Sequence, residues 1–118
     1  MQRFEVPIKL PGANNLLYKN SHKVSDIKKS AEKDIIVYIR QHKIRRIKRP
    51  VFLKFVWYEG TKRRDKDNVA FAKKFIQDAM KKAGILPDDN NNWVMGFSDY
   101  FVYGKGQKVV VEIYDCDG

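Results

Sequence analysis

The feature that most constrains the fold is that this chain has room for one hydrophobic core. Its 118 residues contain no internal repeat, no low-complexity segment and no Pro/Gly-rich linker that would separate two domains. Hydrophobic residues make up 43% of the chain and charged residues 32%, which is enough apolar material for a core beneath a charged surface. We therefore predict a single globular domain over residues 1–118.

Local sequence patterns predict an α+β domain. The predicted strands are Gln2–Leu10, Val51–Tyr58, Trp93–Tyr103 and Lys108–Tyr114. The first predicted helix has Ser25 as its N-cap, an apolar periodicity to Ile39 and a basic continuation to Ile47 that stops before Pro50; the second covers Asp67–Ala83 and ends at Gly84. The glycines of the Gly104–Gln107 segment predict a hairpin between the last two strands. The order β-α-β-α-β-β indicates a mixed β-sheet with two helices packed against it.

Neither the start of the chain nor its cysteine content indicates a secreted or membrane protein. Met1–Leu10 lacks the continuous apolar core of a signal peptide, and no apolar run approaches the ~20 residues that span a bilayer. Cys116 is the single cysteine, so it forms no intramolecular disulfide and excludes a cysteine-rich zinc site. We expect a cytoplasmic protein with no membrane partner.

An excess of basic residues predicts a polyanionic partner, most simply nucleic acid. Lysines and arginines number 24 against 14 acidic residues, which gives a net charge of +10. A solvated face is the alternative for any one basic cluster, but their recurrence favours phosphate binding through counterion release. The candidate nucleic-acid contacts lie in two clusters, Lys43, Arg45, Arg46, Lys48 and Arg49 in the first and Lys62, Arg63 and Arg64 in the second.

Two aspartates before the second predicted helix are candidate metal ligands. Asp65 and Asp67 flank Lys66, and alternate residues of an extended segment point to the same side. Two close carboxylates repel each other unless a proton or a cation joins them, so the pair favours a metal ion. Only oxygen ligands are available, which suits Mg²⁺ and argues against zinc. The structural alternative makes Asp67 a helix cap and Asp65 a turn residue.

A helical wheel adds a lysine to this group. If Asp67–Ala83 is one continuous helix, then Asp67, Lys74 and Asp78 share an edge opposite the apolar stripe. Lys73 instead lies beside the stripe, where its methylenes cover the edge of the core while its amine extends into solvent. We therefore predict that Lys74 assists chemistry at Asp67. The alternative for Lys74 is a simple i,i+4 ion pair with Asp78.

A longer motif runs through this region. RRDKDN at Arg63–Asn68 is followed by a lysine and an aspartate four residues apart, then AG, two hydrophobic residues and a terminal aspartate, and LPGANN stands at Leu10–Asn15. Together these stretches resemble the signature of the RusA family of Holliday junction resolvases, and the similarity covers most of the chain. In many members the lysine follows the asparagine by three residues, whereas Lys74 stands six after Asn68. This longer spacing resembles a Gram-positive and phage-like branch of the family.

The resemblance implies a set of site residues. By position, the resemblance implies that Asp65, Asp67 and Asp89 hold the catalytic metal and that Lys74 assists cleavage. Asn68 matches the asparagine of the family motif, and Asn14 and Asn15 are implied to contact DNA. Asp88 competes with Asp89 for the third carboxylate, and a plain polar turn, PDDNNN, is the structural alternative for both.

The predicted helix separates these aspartates. A helix over Asp67–Ala83 is about 25 Å long at ~1.5 Å per residue, and the segment from Ile85 to Asp89 extends at most ~17 Å. The three carboxylates therefore meet only if Asp65 and Asp67 lie part-way along the helix, or if a second subunit contributes. The sequence leaves both arrangements open.

The function that the resemblance implies is Mg²⁺-dependent endodeoxyribonuclease activity, with Mn²⁺ expected to substitute for Mg²⁺. The expected substrate is a four-way (Holliday) junction in DNA recombination and repair, cut by phosphodiester hydrolysis in paired symmetric nicks. Two opposed nicks imply a homodimer, and no small-molecule cofactor is expected. The alternatives are a non-catalytic basic nucleic-acid-binding module and a nuclease of other branched or single-stranded DNA.

Overall fold

The computed structural model describes residues 1–116, which form a four-stranded mixed sheet and three helices. Residues 117 and 118 of the predicted domain lie outside the described residues. The strands are β1 (Gln2–Val6), β2 (Val51–Glu59), β3 (Val94–Tyr103) and β4 (Lys108–Asp115). The helices are α1 (Ser21–Gln41), α2 (Lys66–Ala70) and α3 (Lys73–Lys82), and a 3-10 turn covers Ala13–Asn15. The predicted α+β fold with a mixed sheet is confirmed.

β2 is the central strand because alternate residues of it fill the core. Val51, Leu53, Phe55 and Trp57 are buried beneath the helices, whereas Phe52 points to the uncovered face of the sheet. β2 pairs in parallel with β3 and antiparallel with β4, and β4 pairs antiparallel with β1. The strand order is therefore β1-β4-β2-β3, with β1 and β3 at the edges.

The predicted hairpin between the last two strands is wrong. β3 and β4 lie on opposite sides of β2, so the Gly104–Gln107 segment crosses over the end of β2. Gly104 and Gly106 do have the positive φ angles of a tight turn, 78° and 90°, and the Gly104 N–H donates to the carbonyl of Glu59 at 2.9 Å. Turn residues predict that the chain reverses, but they do not predict which strand the next one pairs with. Here β2, the most apolar strand, lies between β3 and β4, because both of its edges must be hydrogen-bonded inside the core.

α1 begins and ends earlier than the apolar pattern predicted. Asn20 is its N-cap, and the Asn20 Oδ1 accepts a hydrogen bond from the Lys23 N–H at 2.9 Å, so the predicted cap Ser25 lies inside the helix. The polar first turn shows no apolar periodicity, which hid the true start. The helix stops at Gln41, and the basic continuation to Ile47 is a loop. Across residues 1–116, no helix has the length and apolar character needed to cross a membrane.

The predicted helix Asp67–Ala83 is two helices, α2 and α3, separated at Phe71 and Ala72. The N–H groups of Ala72 and Lys74 donate to carbonyls three residues earlier, a 3-10 pattern that rotates the chain faster per residue than an α-helix. The wheel drawn through the whole segment is therefore wrong. Asp78 is buried against α1, where Lys28 pairs with it at 3.2 Å, and does not lie opposite the apolar stripe.

The parallel pairing gives the sheet two distinct ends. At the Glu59 end β2 and β3 finish and β4 begins, and at the Val51 end β2 and β3 begin and β4 finishes. β2 has nine residues, so the two ends are about 30 Å apart at ~3.3 Å per residue. α2 and α3 carry the chain back from the Glu59 end to the Val51 end.

Candidate metal and nucleic-acid site

Two carboxylates without a cationic partner lie at the Glu59 end. Asp65 occupies the N-cap position of α2, but its side chain makes no capping hydrogen bond. The Asp67 Oδ1 accepts only the adjacent N–H of Asn68, at 3.0 Å. Both side chains are exposed, and neither forms an ion pair within residues 1–116. The alternative that Asp67 is the helix cap is wrong, because the N-cap position belongs to Asp65 and Asp67 lies inside the helix.

Asn68 fastens the N-terminal loop to α2. Its side chain is buried, and its Oδ1 accepts a hydrogen bond from the Asn14 N–H at 2.8 Å. Gly12 lies so close that a Cβ there would meet the Asn68 Oδ1 at 2.5 Å. The Asn15 Oδ1 accepts the Gly12 N–H at 2.8 Å and closes the 3-10 turn. The LPGANN loop is thereby held beside Asp67, and DNA contact by Asn14 and Asn15 stays a prediction.

A largely buried ion pair positions the chain that leads to Asp65. The Arg64 Nε and Nη2 donate to the two carboxylate oxygens of Glu59, each at 2.8 Å, and the Arg64 Nη1 donates to the Leu10 carbonyl at 3.0 Å. Only 15% of the Arg64 side chain and 6% of the Glu59 side chain are exposed. Arg64 was predicted to contact DNA, but every nitrogen of its guanidinium is already bonded within the protein. We therefore assign it a positioning role.

The environment of Glu59 keeps its carboxylate charged. Burial raises the pKa of Glu59. Hydrogen bonds from Arg64 and Gln107, together with the charge of Arg64, lower this pKa by more than burial raises it, so it lies below its ordinary value of 4.5. The Glu59–Arg64 pair was not predicted from the sequence. A signal was present, because Glu59 falls on the inward-facing positions of β2, where a charge requires a partner.

The two lysines at the start of α3 have different surroundings. Lys73 is largely buried, and its Nζ donates to the Asp99 Oδ2 at 2.5 Å and lies 4.1 Å from the centroid of the Phe97 ring. The Asp99 Oδ1 accepts a second hydrogen bond from the Trp57 Nε1 at 2.8 Å. Lys73 therefore lies against the edge of the core as predicted, but its amine is paired with Asp99 and does not extend into solvent.

Lys74 is the more available of the two. Its side chain is 61% exposed, and its ion pair is with Asp78, whose Oδ1 lies 3.7 Å from the Lys74 Nζ. The predicted i,i+4 pair is therefore present, at the long distance typical of a weak surface contact. Lys74 lies in the first turn of α3, toward the same end of the sheet as Asp67.

The third predicted carboxylate lies toward the Val51 end. Asp88 and Asp89 stand between α3 and β3, and the Lys81 Nζ lies 3.8 Å from the Asp88 Oδ1 and 3.2 Å from the Asp89 Oδ1. Burial raises the pKa of Asp89, but the hydrogen bond and charge of Lys81 lower it below its ordinary value. The two Asp88 oxygens accept hydrogen bonds from the Asp89 N–H and the Asn90 amide. Asp88 therefore serves the turn, which leaves Asp89 the better candidate ligand.

One chain does not bring the three predicted ligands together. Within residues 1–116, no group of three or more His, Cys, Asp or Glu side chains is placed to hold a metal ion. Asp65 is the N-cap of α2 and Asp67 lies in its first turn, whereas Asp89 follows α3, whose ten residues alone are about 15 Å long. Asp65 and Asp67 by themselves supply the one or two carboxylates that Mg²⁺ needs, since water and phosphate oxygens fill its other positions. The donor chemistry of this pair fits Mg²⁺.

The basic loop from Lys43 to Arg49 has a fixed backbone and free side chains. The Gln2 side-chain amide donates to the Arg45 carbonyl at 3.0 Å and accepts the Arg45 N–H at 2.7 Å. Ile47 is buried, and its N–H donates to the Ile85 carbonyl at 2.7 Å. The five cationic side chains of this loop are exposed and form no ion pair within the described part of the chain. Such a loop suits contacts with phosphates.

Comparison with protein-family models matches residues 13–114 to Endodeoxyribonuclease RusA. The matched range begins at the 3-10 turn and includes every candidate site residue. It leaves out β1. No curated protein sequence matches the chain.

Replacing Glu59 with Gln is expected to lower the free energy of unfolding by about 3–5 kcal/mol at pH 7, because the Arg64 guanidinium loses its counter-charge in a largely buried site. The folded-state pKa of Glu59 is lowered from 4.5, so the pair stabilises fully above about pH 4.5 and this stabilisation is lost as the pH falls through the lowered value. Urea denaturation of wild type and Glu59→Gln at neutral and acidic pH measures both effects.

The matched control for this prediction is Glu5→Gln. Glu5 also pairs with basic side chains, Arg3 and Lys108, but it is 30% exposed, so its loss should cost no more than about 1 kcal/mol. Equal losses in the two variants would contradict the positioning role of the Glu59–Arg64 pair.

Proposed function

The chain belongs to the RusA family of endodeoxyribonucleases, and we propose that it is a Mg²⁺-dependent enzyme that resolves four-way DNA junctions by paired symmetric nicks. The observation that carries the proposal is the pair Asp65 and Asp67, which lies in a basic stretch and whose exposed carboxylates form no ion pair within residues 1–116. Bound there, a metal ion would supply the positive charge that this pair lacks.

The proposed metal ligands are Asp65 and Asp67 with Asp89. When bound there, Mg²⁺ supplies the Lewis acid for phosphodiester hydrolysis, and Mn²⁺ is expected to substitute because it accepts the same oxygen ligands. No small-molecule cofactor enters the proposal. Lys74 would stabilise the negative charge that develops on the phosphate, and the Glu59–Arg64 pair and Asn68 would hold the two aspartates and the LPGANN loop in place.

We propose a homodimer in which each active site combines carboxylates of both subunits. Two considerations support this. The aspartates of one chain lie toward opposite ends of the sheet, and symmetric resolution needs two sites that face opposed strands. Asp65 and Asp67 of one subunit would then share a metal ion with Asp89 of the other.

The proposed DNA contacts lie at both ends of the sheet. Lys62, Arg63, Asn14 and Asn15 would bind phosphates at the Glu59 end, and the basic loop from Lys43 to Arg49 would bind them at the Val51 end. β1 lies outside the family match but pairs with β4, so we propose that the nuclease domain includes it. We expect the enzyme to act on DNA in the cytoplasm.

Replacing Asp65, Asp67 or Asp89 with Asn is expected to abolish Mg²⁺-dependent cleavage of a synthetic four-way junction, because each substitution removes a negative charge from the metal site. Gel-shift affinity for the junction should persist or rise, since repulsion of the phosphates falls. Asp88→Asn is the matched control and should keep its activity, because Asp88 serves the turn. Full cleavage by the Asp65 and Asp67 variants would refute the mechanism. A wild type that shifts the junction in the gel but leaves it uncut would favour the non-catalytic binding module. Cleavage of flaps but not of junctions by the wild type would favour the other nuclease.

Mixing two inactive variants tests whether the site is shared between subunits. A mixed dimer of Asp67→Asn with Asp89→Asn contains one site in which all three carboxylates are intact, if the ligands come from two chains. Random mixing makes half of the dimers mixed, each with one site of two, so about a quarter of wild-type nicking should return. The product should be a single nick rather than a resolved junction. No recovery in a mixture shown to exchange subunits would mean that the site is built within one chain.

Lys74→Ala is expected to slow cleavage by about 10²–10³-fold without changing stability, because the side chain is exposed and its contact with Asp78 is weak. Lys73→Ala should behave in the opposite way. It leaves the half-buried Asp99 without its cation and should lower the free energy of unfolding by about 1–3 kcal/mol while cleavage by the folded protein stays near normal. Single-turnover cleavage and thermal unfolding of both variants measure the difference, and a reversed pattern would transfer the role to Lys73.

A further inference from the structure

A tyrosine close to the candidate metal site lies in solvent. Tyr18 follows the 3-10 turn that docks on α2, and its side chain is 102% exposed within the part of the chain that the structure describes. Leu17, directly before it, is 54% exposed. Two adjacent apolar side chains at the tip of a loop add nothing to the hydrophobic core. They are therefore available to a binding partner.

The backbone at Tyr18 has a conformation that costs stability. Its φ angle is 64°, in the left-handed region where the Cβ of a residue other than glycine crowds the following carbonyl oxygen. Such strain persists only where the neighbouring structure imposes it. On one side of Tyr18 the Asn14 N–H is bonded to the buried Asn68, and on the other the Asn20 side chain caps α1. The fold therefore holds Tyr18 in its exposed position.

The charge of the surrounding segment suits a polyanionic partner. From Val6 to Ser25 the chain contains no aspartate or glutamate, and it contains Lys9, Lys19 and Lys23. Lysines bind the phosphates of nucleic acid whatever its sequence or shape. An aromatic ring does not bind phosphate, but it stacks on the face of a base. The combination of lysines with Tyr18 therefore indicates contact with bases as well as with the DNA backbone.

We propose that Tyr18, with Leu17 beside it, stacks on a base that is exposed at the branch point of the DNA. In a continuous duplex the neighbouring base pairs cover both faces of a base, and a side chain reaches a face only by separating them. At a branch point the stack is interrupted, so a base is available at lower cost. Tyr18 thus favours branched over linear DNA. The inference rests on the proposed function for the identity of the partner, and it uses no step of cleavage.

The position of Tyr18 limits which bases it reaches. Asn14 is hydrogen-bonded to Asn68, the residue after Asp67, and the four residues from Asn14 to Tyr18 extend at most ~14 Å. Successive nucleotides of one strand are ~3.4 Å apart. The stacked base therefore lies within about five nucleotides of a phosphate bound beside Asp67.

The affinities of Tyr18 variants for branched and linear DNA test the proposal, and EDTA in the binding buffer prevents any cleavage. Tyr18→Ala should weaken binding of a synthetic four-way junction by about 10-fold, the effect of losing one stacked base. Its affinity for a linear duplex should stay within about 2-fold, because phosphate contacts remain. Tyr18→Phe keeps the ring and should bind like the wild type. Tyr114→Ala is the matched control, since Tyr114 is an exposed tyrosine on the uncovered face of the sheet.

Tyr18→Gly separates binding from stability. Glycine adopts a φ angle of 64° without strain, so the midpoint of thermal unfolding should not fall. Junction affinity should nevertheless fall as it does in Tyr18→Ala. A loss of affinity that appears only together with a lower unfolding midpoint would overturn the proposal, because Tyr18 would then serve the fold.

Photocrosslinking of the wild type locates the contact. Junctions that carry 5-iododeoxyuridine within about five nucleotides of the branch should crosslink to Tyr18 on irradiation, and a duplex with the same substitutions should not. Equal junction affinity of wild type and Tyr18→Ala, or equal crosslinking of Tyr18 to junction and duplex, would overturn the proposal. A wild type that crosslinks through Tyr18 at the branch but cleaves no junction in Mg²⁺ would instead overturn the proposed function and leave the stacking contact standing.

Discussion

Two parallel neighbouring strands can be joined only by a connection that returns the chain to the starting end of the sheet. β2 and β3 are such a pair, and α2 and α3 are the returning connection. Asp65 and Asp67 stand where this connection leaves the Glu59 end, and Asp89 stands where it arrives near the Val51 end. The separation of the predicted ligands is thus a product of strand direction. The proposed homodimer, in which each site combines carboxylates of both subunits, would bring them together.

The Glu59 end is organised by polar contacts that the helices do not supply. The Arg64 guanidinium joins β2 to the chain before Asp65 and to the LPGANN loop, and Asn68 joins that loop to α2. These groups are buried or nearly so, and each is hydrogen-bonded. Asp65 and Asp67 differ from them, because bonded neighbours hold them in place while their own carboxylates are exposed and form no ion pair within residues 1–116. A catalytic site requires this division of roles.

The sequence predicted those features that depend on a few adjacent residues. β2 was predicted to within one residue, since its apolar density is local, and Asp65 and Asp67 stood out from a compact motif. The break at Phe71 was missed, and it falls within the stretch that is three residues longer than in many members of the family. The Asn14–Asn68 hydrogen bond that docks α2 joins residues 54 apart in sequence. The pairing of β3 with β2 was missed for the same reason, because glycines mark a turn but not the strand that follows.

The position of β4 determines when the domain can fold during synthesis. β4 lies between β1 and β2, and its residues pair with strands made near the beginning and in the middle of the chain, such as Phe4 with Val111 and Phe55 with Val111. Contacts between such distant residues are slow to form. While the ribosome still holds the β4 segment, β1 has no neighbour and one side of β2 is open. The newly made chain is therefore a poor nuclease until β4 emerges, and its exposed strands are at risk of aggregation until then.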